Sequence, residues 1–375
     1  MDIDNKINKI NKLDINTDSK LEHVIVEYIF IDGFNNTRSK TRIIAPKWFP
    51  DDKGNQRGPL FNIDVWNVDG SSTGQSETAK SDIILIPRAL FNDPFNKSTE
   101  TRKYILCICD VFNPDGTPHP TNNRAKLFQT MMQIGEQVLK DNAPLFGIEQ
   151  EYVILEANGI TPYNWCDKIK YSKQGAFYCS VGADRNFGRV IAQEHMNKCL
   201  DAGVKICGVN AEAAPSQWEF QVGICDPFEM GDHLWMARYI LARVAESHGV
   251  CISYDPKPFG PAWNDSGAHT NFSTAEMRAE GGIDAIHRAI KKLEGKHTEH
   301  MSVYGVGNNH QMTRTHETSN INTFTNGECD LESSIRIPIN VKVEGRGYLE
   351  DRRPASNADP YLVCSRILET ILADA

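Results

Sequence analysis

The sequence predicts an α+β protein with a small strand-rich N-terminal domain and a larger domain that mixes strands and helices. Three observations carry this expectation. Short β-branched and aromatic runs fill residues 24–111, a segment rich in Pro, Gly and Asn interrupts the chain at 113–120, and apolar residues at helical spacing begin directly after it. A chain of 375 residues is also too long for one small core.

Residues 1–22 are rich in Asn, Lys, Asp and Ile and low in complexity, and they read as a flexible tail. The run from Val24 to Ile31 ends at Asp32-Gly33, a strand followed by a turn. Further strands fit 39–45, 64–68, 82–86 and 103–111, giving a first domain over 23–112. The segment from Asn113 to Pro120 reads as a linker, and a second domain covers 121–375. It opens with a helix near 123–141 whose apolar face is Phe128, Met131, Met132 and Val138. Helices also fit 187–202, ended by Gly203, and 229–248, ended by Gly249. Two more fit 282–293 and 359–373.

The net charge of −9 argues against nucleic acid or an anionic membrane as the main partner and suits a carboxylate-rich site that binds metal. No apolar run approaches the ~20 residues of a membrane helix, and the N-terminus lacks the apolar region of a signal peptide. The ten cysteines form no CxxC pair. They read as buried, reduced thiols of a cytoplasmic protein.

Four segments of the second domain carry polar residues at period two, so that alternate side chains share a face. Gly147-Ile-Glu-Gln-Glu-Tyr152 puts Glu149 with Glu151, and Gln217-Trp-Glu-Phe-Gln-Val222 groups Gln217, Glu219 and Gln221. Gly267-Ala-His-Thr-Asn-Phe-Ser273 groups His269, Asn271 and Ser273 with Phe272 opposite, and Gly347-Tyr-Leu-Glu-Asp-Arg-Arg353 groups Tyr348, Glu350 and Arg352. One such strand is an ordinary solvated sheet face. Four sharing a sheet would line a cleft with at least four carboxylates and a histidine, which repel unless cations neutralise them. Carboxylate oxygens with one imidazole suit Mg²⁺ or Mn²⁺, and a divalent ion beside arginines is equipment for phosphoryl transfer.

From about Val24 to the C-terminus the sequence resembles glutamine synthetase of the eukaryotic type. The resemblance rests on Trp66-Asn-Val-Asp-Gly-Ser-Ser-Thr-Gly74, the four segments above, Val181-Gly-Ala-Asp184, Asn210-Ala-Glu212, Asp255-Pro-Lys-Pro258 and His316-Glu-Thr-Ser-Asn-Ile-Asn322, in family order. It implies an N-terminal β-grasp domain, a large α/β catalytic domain, and a homo-oligomer of two stacked pentameric rings. It implies L-glutamate, ammonium and ATP as substrates, joined through a γ-glutamyl phosphate. By resemblance Glu151, Glu212 and Glu219 hold one metal, and Glu149, His269 and Glu350 a second. The nucleotide would meet Glu149, Glu219, Asn271, Phe272, Ser273 and Tyr348, with Arg336 on its phosphates. Glutamate would meet Trp263, Asn264, Gly267 and Arg352. Asp69 of a neighbouring subunit would take the ammonium proton, and Glu317 would close the site against water.

The chain also departs from the family pattern. Gln311 stands where an arginine grips the glutamate carboxylate, in Gln311-Met312-Thr313-Arg314, and Leu331 replaces an arginine that stabilises the transferring phosphoryl group. Asn264-Asp265-Ser266-Gly267 adds a negative charge beside the amino-acid site, and Tyr171-Ser-Lys-Gln-Gly-Ala176 lacks the family's prolines. These departures leave three readings: an active synthetase, with Arg314 as one source of compensating charge; a catalytically impaired scaffold or regulatory subunit; and a related ligase of another carboxylate or amine.

Overall fold

The structure, a computed structural model, describes residues 21–45, 47–50, 56–60, 63–165, 175–260, 263–307 and 322–373. Residues 1–20 of the expected tail, residues 171–174, and the expectations on Gln311, Arg314 and Glu317 lie outside these residues. The end of the expected tail needs correction, because Leu21 is buried in the first core and the Glu22 amide donates to the Thr101 carbonyl at 2.9 Å. The chain forms two compact units, one of residues up to Ala125 with Lys198–Val204 and one of Lys126–Asn197 with the residues from Lys205 on.

The first unit contains strands β1 (His23–Ile31), β2 (Thr37–Ile44), β3 (Lys47–Pro50), β4 (Gln56–Leu60), β5 (Trp66–Asp69), β6 (Asp82–Asn92) and β7 (Arg102–Phe112). Five of them form a sheet in the order β2-β1-β7-β6-β5, with β1 and β7 parallel, while β3 pairs with β4. Alternation builds its core: Val24, Val26, Tyr28 and Phe30 of β1 are buried with Ile105, Cys107, Cys109 and Val111 of β7. An irregularity between Pro87 and Ala89 changes the parity of β6, so Ile83 and Leu85 before it and Leu90 after it reach the same core. Gly33 must be a glycine, because a Cβ there would stand 2.4 Å from the carbonyl oxygen of Gly74.

The second unit contains β8 (Leu145–Leu155), β9 (Ile206–Ala211), β10 (Gln217–Cys225), β11 (Cys251–Ser253), β12 (Ala268–Ser273), β13 (Asn326–Glu328), β14 (Ile335–Ile337) and β15 (Leu349–Asp351). They form one sheet in the order β13-β14-β15-β12-β8-β10-β9, with β11 also paired to β8. The helix Pro227–His248 packs on β8, β10 and β11. It begins two residues before the sequence expectation, because Asp226 and Glu229 form a reciprocal capping box and Pro227 fits the first turn. Gly249, at φ 66°, ends it. The helix Pro360–Leu372 lies against it, and the Tyr361 hydroxyl donates to Asp232 Oδ1 at 2.6 Å. Gly231 makes room for that ring, since a Cβ there would sit 2.1 Å from Tyr361 Cε1.

Three expectations need correction. The helix over 123–141 is broken by Gly135, at φ 90° and ψ 147°, into Asn123–Ile134 and Glu136–Asn142. Its buried face is Leu127, Thr130 and Ile134, and Met132 is exposed. The cysteines among the described residues are free, but Cys179, Cys207 and Cys329 are exposed rather than buried.

A polar chain is buried around Asp351 at the end of β15. Arg353 Nε and Nη2 donate to the two carboxylate oxygens of Asp351, the Tyr304 hydroxyl donates to Asp351 Oδ2 at 2.8 Å, and His300 lies between Tyr304 and Thr370. Burial first, then the Arg353 charge, lowers the His300 pKa to about 3. Its folded value lies below its unfolded one, so this stabilisation is full above about pH 6.5 and is lost as pH falls toward 3. The stability advantage of the wild type over His300→Gln should therefore shrink on acidification by about 1.4 kcal/mol per pH unit below 6.5. Urea unfolding of both proteins from pH 7 to 4.5 measures it, and a constant difference would count against the neutral buried histidine.

Candidate active site

Register brings the four polar segments together. On β8, Glu151 stands opposite Glu219 of β10, and Glu149 stands between Gln221 of β10 and His269 of β12. Asn271 of β12 stands opposite Glu350 of β15, which in turn faces Arg336 of β14. The period-two faces are therefore one face. Two groups result: Glu149 with His269 and Glu350, and Glu151 with Glu212 and Glu219, each with candidate ligand atoms within 4.8 Å of one another.

Neighbouring amides and guanidinium groups orient these carboxylates. Asn271 Nδ2 donates to Glu149 Oε1 at 2.8 Å, Gln221 Nε2 to Glu219 Oε1 at 2.5 Å, and Asn210 Nδ2 to Glu212 Oε1 at 2.8 Å. The Gly267 amide donates to Glu151 Oε2 at 2.5 Å. A side chain at Gly267 would displace the imidazole, because its Cβ would lie 2.5 Å from His269 Nε2. Glu350 receives Arg336 Nη1 at 2.8 Å on one oxygen and Arg352 Nη1 at 2.7 Å on the other.

The electrostatics of the face call for cations. Burial, reinforced by Glu149 and Glu212, pushes the Glu219 carboxyl up to about 8, and burial pushes Glu212 up to about 7. Burial followed by the charges of Glu212 and Glu219 raises Glu151 well above the carboxylate range, and burial followed by Glu350 raises Glu149. Burial, with Arg352 and Arg336 nearby, drives His269 well below the usual imidazole value. A neutral imidazole keeps a lone pair for a metal. Both carboxylate oxygens of Asp265 are buried without a hydrogen-bond partner, and its charge adds to the upward push on Glu151. Crowded carboxylates and an orphaned acid fit hard divalent cations with oxygen and imidazole ligands.

The other expected site residues are placed as follows. Ser273 ends β12, and its hydroxyl accepts from Arg278 Nη1 at 2.8 Å. Tyr348 is half-buried just before β15. The ring of Trp263 stands 5.8 Å from that of Trp165, and Asn264 Nδ2 donates to Gln217 Oε1 at 3.1 Å. Asp69 belongs to the first unit, where both its oxygens accept from the Ser71 and Ser72 hydroxyls, which lower its pKa. The ring of Phe272 is fully buried on the opposite face, as strand alternation expects, against Phe146, 5.0 Å away. The orienting amide of Gln221 was visible in the period-two pattern; that of Asn210 was visible only as part of the Asn210-Ala-Glu212 motif.

The family profile described as "Glutamine synthetase, catalytic domain" matches residues 123–284. The glutamine synthetase of Neurospora crassa is 47% identical over 350 residues, which span 92% of this chain and 91% of that protein. The chain belongs to the glutamine synthetase family. The glutamine synthetase of Amanita muscaria is 46% identical, spanning 93% of each chain. A glutamine synthetase of Oryza sativa subsp. japonica, cytosolic isozyme 1-1, is 43% identical over 96% of this chain and 97% of that one. Among solved structures, ligand-free GmaS superposes with a TM-score of 0.67 and 20% identity over 93% of this chain and 77% of that chain. A GmaS/ADP complex gives 0.69, also at 20% identity, over 94% and 78%. At that identity the GmaS likeness speaks for the fold, which is that of glutamine synthetases. Members of the family are ATP-dependent glutamate–ammonia ligases that use a divalent metal.

Proposed function

We propose that this chain joins glutamate and ammonia with ATP, using Mg²⁺ or Mn²⁺ at the two acid groups of the second unit. The observation that carries this reading is the convergence of six ligand residues from separate segments into two groups whose ligand atoms lie within 4.8 Å. When bound, the metals screen the phosphate charges and polarise the transferring phosphoryl group. Glu151, Glu212 and Glu219 hold one ion, and Glu149, His269 and Glu350 the other. Arg336 and Arg352 flank Glu350 and offer guanidinium groups to the phosphates and to the glutamate carboxylate.

Glutamate's γ-carboxylate oxygen attacks the γ-phosphorus of ATP, and ADP leaves with the bonding electrons. Ammonium gives a proton to Asp69, and ammonia attacks the acyl carbon. The bond from that carbon to the phosphate oxygen breaks, and the departing phosphate carries off the nitrogen's surplus proton as hydrogen phosphate. The hydroxyls of Ser71 and Ser72 fix the Asp69 carboxylate and keep it a free base over the neutral range. Asp69 serves a neighbouring subunit's site in a ring of two stacked pentamers, and the division between β-grasp and catalytic domains falls at the 113–120 linker. The cytoplasm is the proposed location. Relatives from Oryza sativa subsp. japonica and Arabidopsis thaliana are named cytosolic isozymes, and no described helix is long and apolar enough to cross a membrane.

The test is ADP release by purified protein. It should require glutamate, ammonium and Mg²⁺ or Mn²⁺ together. Release independent of glutamate would remove the ligase reading. Light scattering should give a particle of ten subunits, and a monodisperse monomer near physiological salt would sink the ring. Leu331 favours one second reading, a slow synthetase whose main role is in assembly.

A further inference from the structure

Arg238 lies on the face of the second sheet opposite the acid groups and is buried in the helix Pro227–His248. Its Nε and Nη2 both donate to Gln150 Oε1, at 2.9 and 2.6 Å, and Nη2 also reaches the carbonyls of Ser356 and Ala358, each at 2.9 Å. The guanidinium stands 4.8 Å from the centre of the Trp235 ring and 5.2 Å from that of Tyr254. Only a planar fork serves these acceptors at once; a lysine ammonium lacks it.

Its partners bear on both acid groups. Gln150 sits between Glu149 and Glu151 on β8 and points the other way. Gln150 Nε2 donates to the Ser356 carbonyl at 3.0 Å and to the Glu151 carbonyl at 2.8 Å. The Ser356 amide donates to the Ser266 carbonyl, and the Ala268 amide to the Pro354 carbonyl. The stretch 266–268 then feeds both groups: the Gly267 amide bonds Glu151, and His269 follows at once. One guanidinium thus ties together β8, the start of β12 and the segment after Arg352.

We propose that Arg238, acting through Gln150, is a positioning residue that sets the spacing of the two acid groups for divalent cations. It touches no substrate. The inference rests on the metal reading above, and its test reads metal binding directly, without turnover.

Mn²⁺ titration calorimetry compares the full-length wild type with Arg238→Lys and Gln150→Met. Arg238→Lys keeps the charge and loses the fork. Gln150→Met conserves volume and leaves Arg238 its two carbonyl partners. Both variants should bind as many Mn²⁺ per chain as the wild type, with Kd weaker by about tenfold. A merely destabilised protein would instead bind fewer ions at unchanged affinity, and that result, or wild-type affinity in either variant, overturns the proposal. If Arg238→Lys does not fold, Gln150→Met carries the test alone. Absence of ADP release by the wild type would sink the ligase reading and leave this titration readable.

Discussion

Replacing Glu219 by alanine should stabilise the metal-free protein at pH 8 and weaken its rescue by Mn²⁺. Glu219 is buried beside Glu151 and Glu212, and burial, followed by the charges of Glu149 and Glu212, pushes its carboxyl up to about 8. A folded pKa above the unfolded one means that stability is full below about pH 4.5 and is lost as pH rises through 8. The loss is at most roughly 1.4 kcal/mol per pH unit for one carboxylate. Bound cations reverse the sign, because a ligand of the folded state adds stability by mass action. The wild type should therefore melt low in chelator and high in Mn²⁺ at pH 8. Glu219→Ala should melt higher than wild type in chelator, lower than wild type in Mn²⁺, and lose at least one calorimetric Mn²⁺ site. Glutamate-dependent ADP release should fall by about 10²-fold or more. Mn²⁺ binding unchanged by the substitution would refute the assignment of this group as a metal centre.

Why the acid face was legible, and its construction was not, follows from strand parity. Period two assigns Glu149, Glu151, Gln217, Glu219, His269, Asn271 and Glu350 to one side of their strands without any tertiary information. Pairing Glu151 with Glu219, or His269 with Glu149, is a matter of register between segments distant in sequence, and periodicity does not contain it. The same parity put Phe272 on the far side, in agreement with its buried ring, and only the family resemblance had carried it to the nucleotide. Gln150 shows the converse. Its parity marks it as a core position, yet it is the buried amide that joins Arg238 to the acid strand. The helix break at Gly135 and the exposed Cys179, Cys207 and Cys329 depend on packing that composition does not specify.

The wild-type chain should bind ATP within about tenfold of ordinary family members and turn over more slowly by on the order of 10²-fold or more. Nucleotide and chemistry depend on different residues. Arg336, Asn271, Ser273, Tyr348 and the carboxylates remain for the nucleotide. Residue 331, in contrast, lies beside the substrate arginine, since the Leu331 carbonyl accepts from Arg352 Nε at 3.2 Å. Leu331 is 52% exposed, and its side chain offers no charge to a transferring phosphoryl group. Arg336 and Arg352, each hydrogen-bonded to Glu350, are already assigned to the phosphates and to the glutamate carboxylate in the proposed reaction, so neither is a spare replacement. Glutamate should also bind weakly, because Gln311 lacks the guanidinium fork and Asp265 repels its carboxylates. Leu331→Arg substitutes an exposed position and should cost less than about 0.5 kcal/mol of stability. Combined with Gln311→Arg it should raise turnover by about tenfold or more, with ATP affinity nearly unchanged. Calorimetric ATP binding and glutamate-dependent ADP release, measured on the same preparations, separate the two effects. Family-level turnover in the wild type would show that another residue supplies the missing charge, and alanine at Arg314 would then be the first substitution to abolish it.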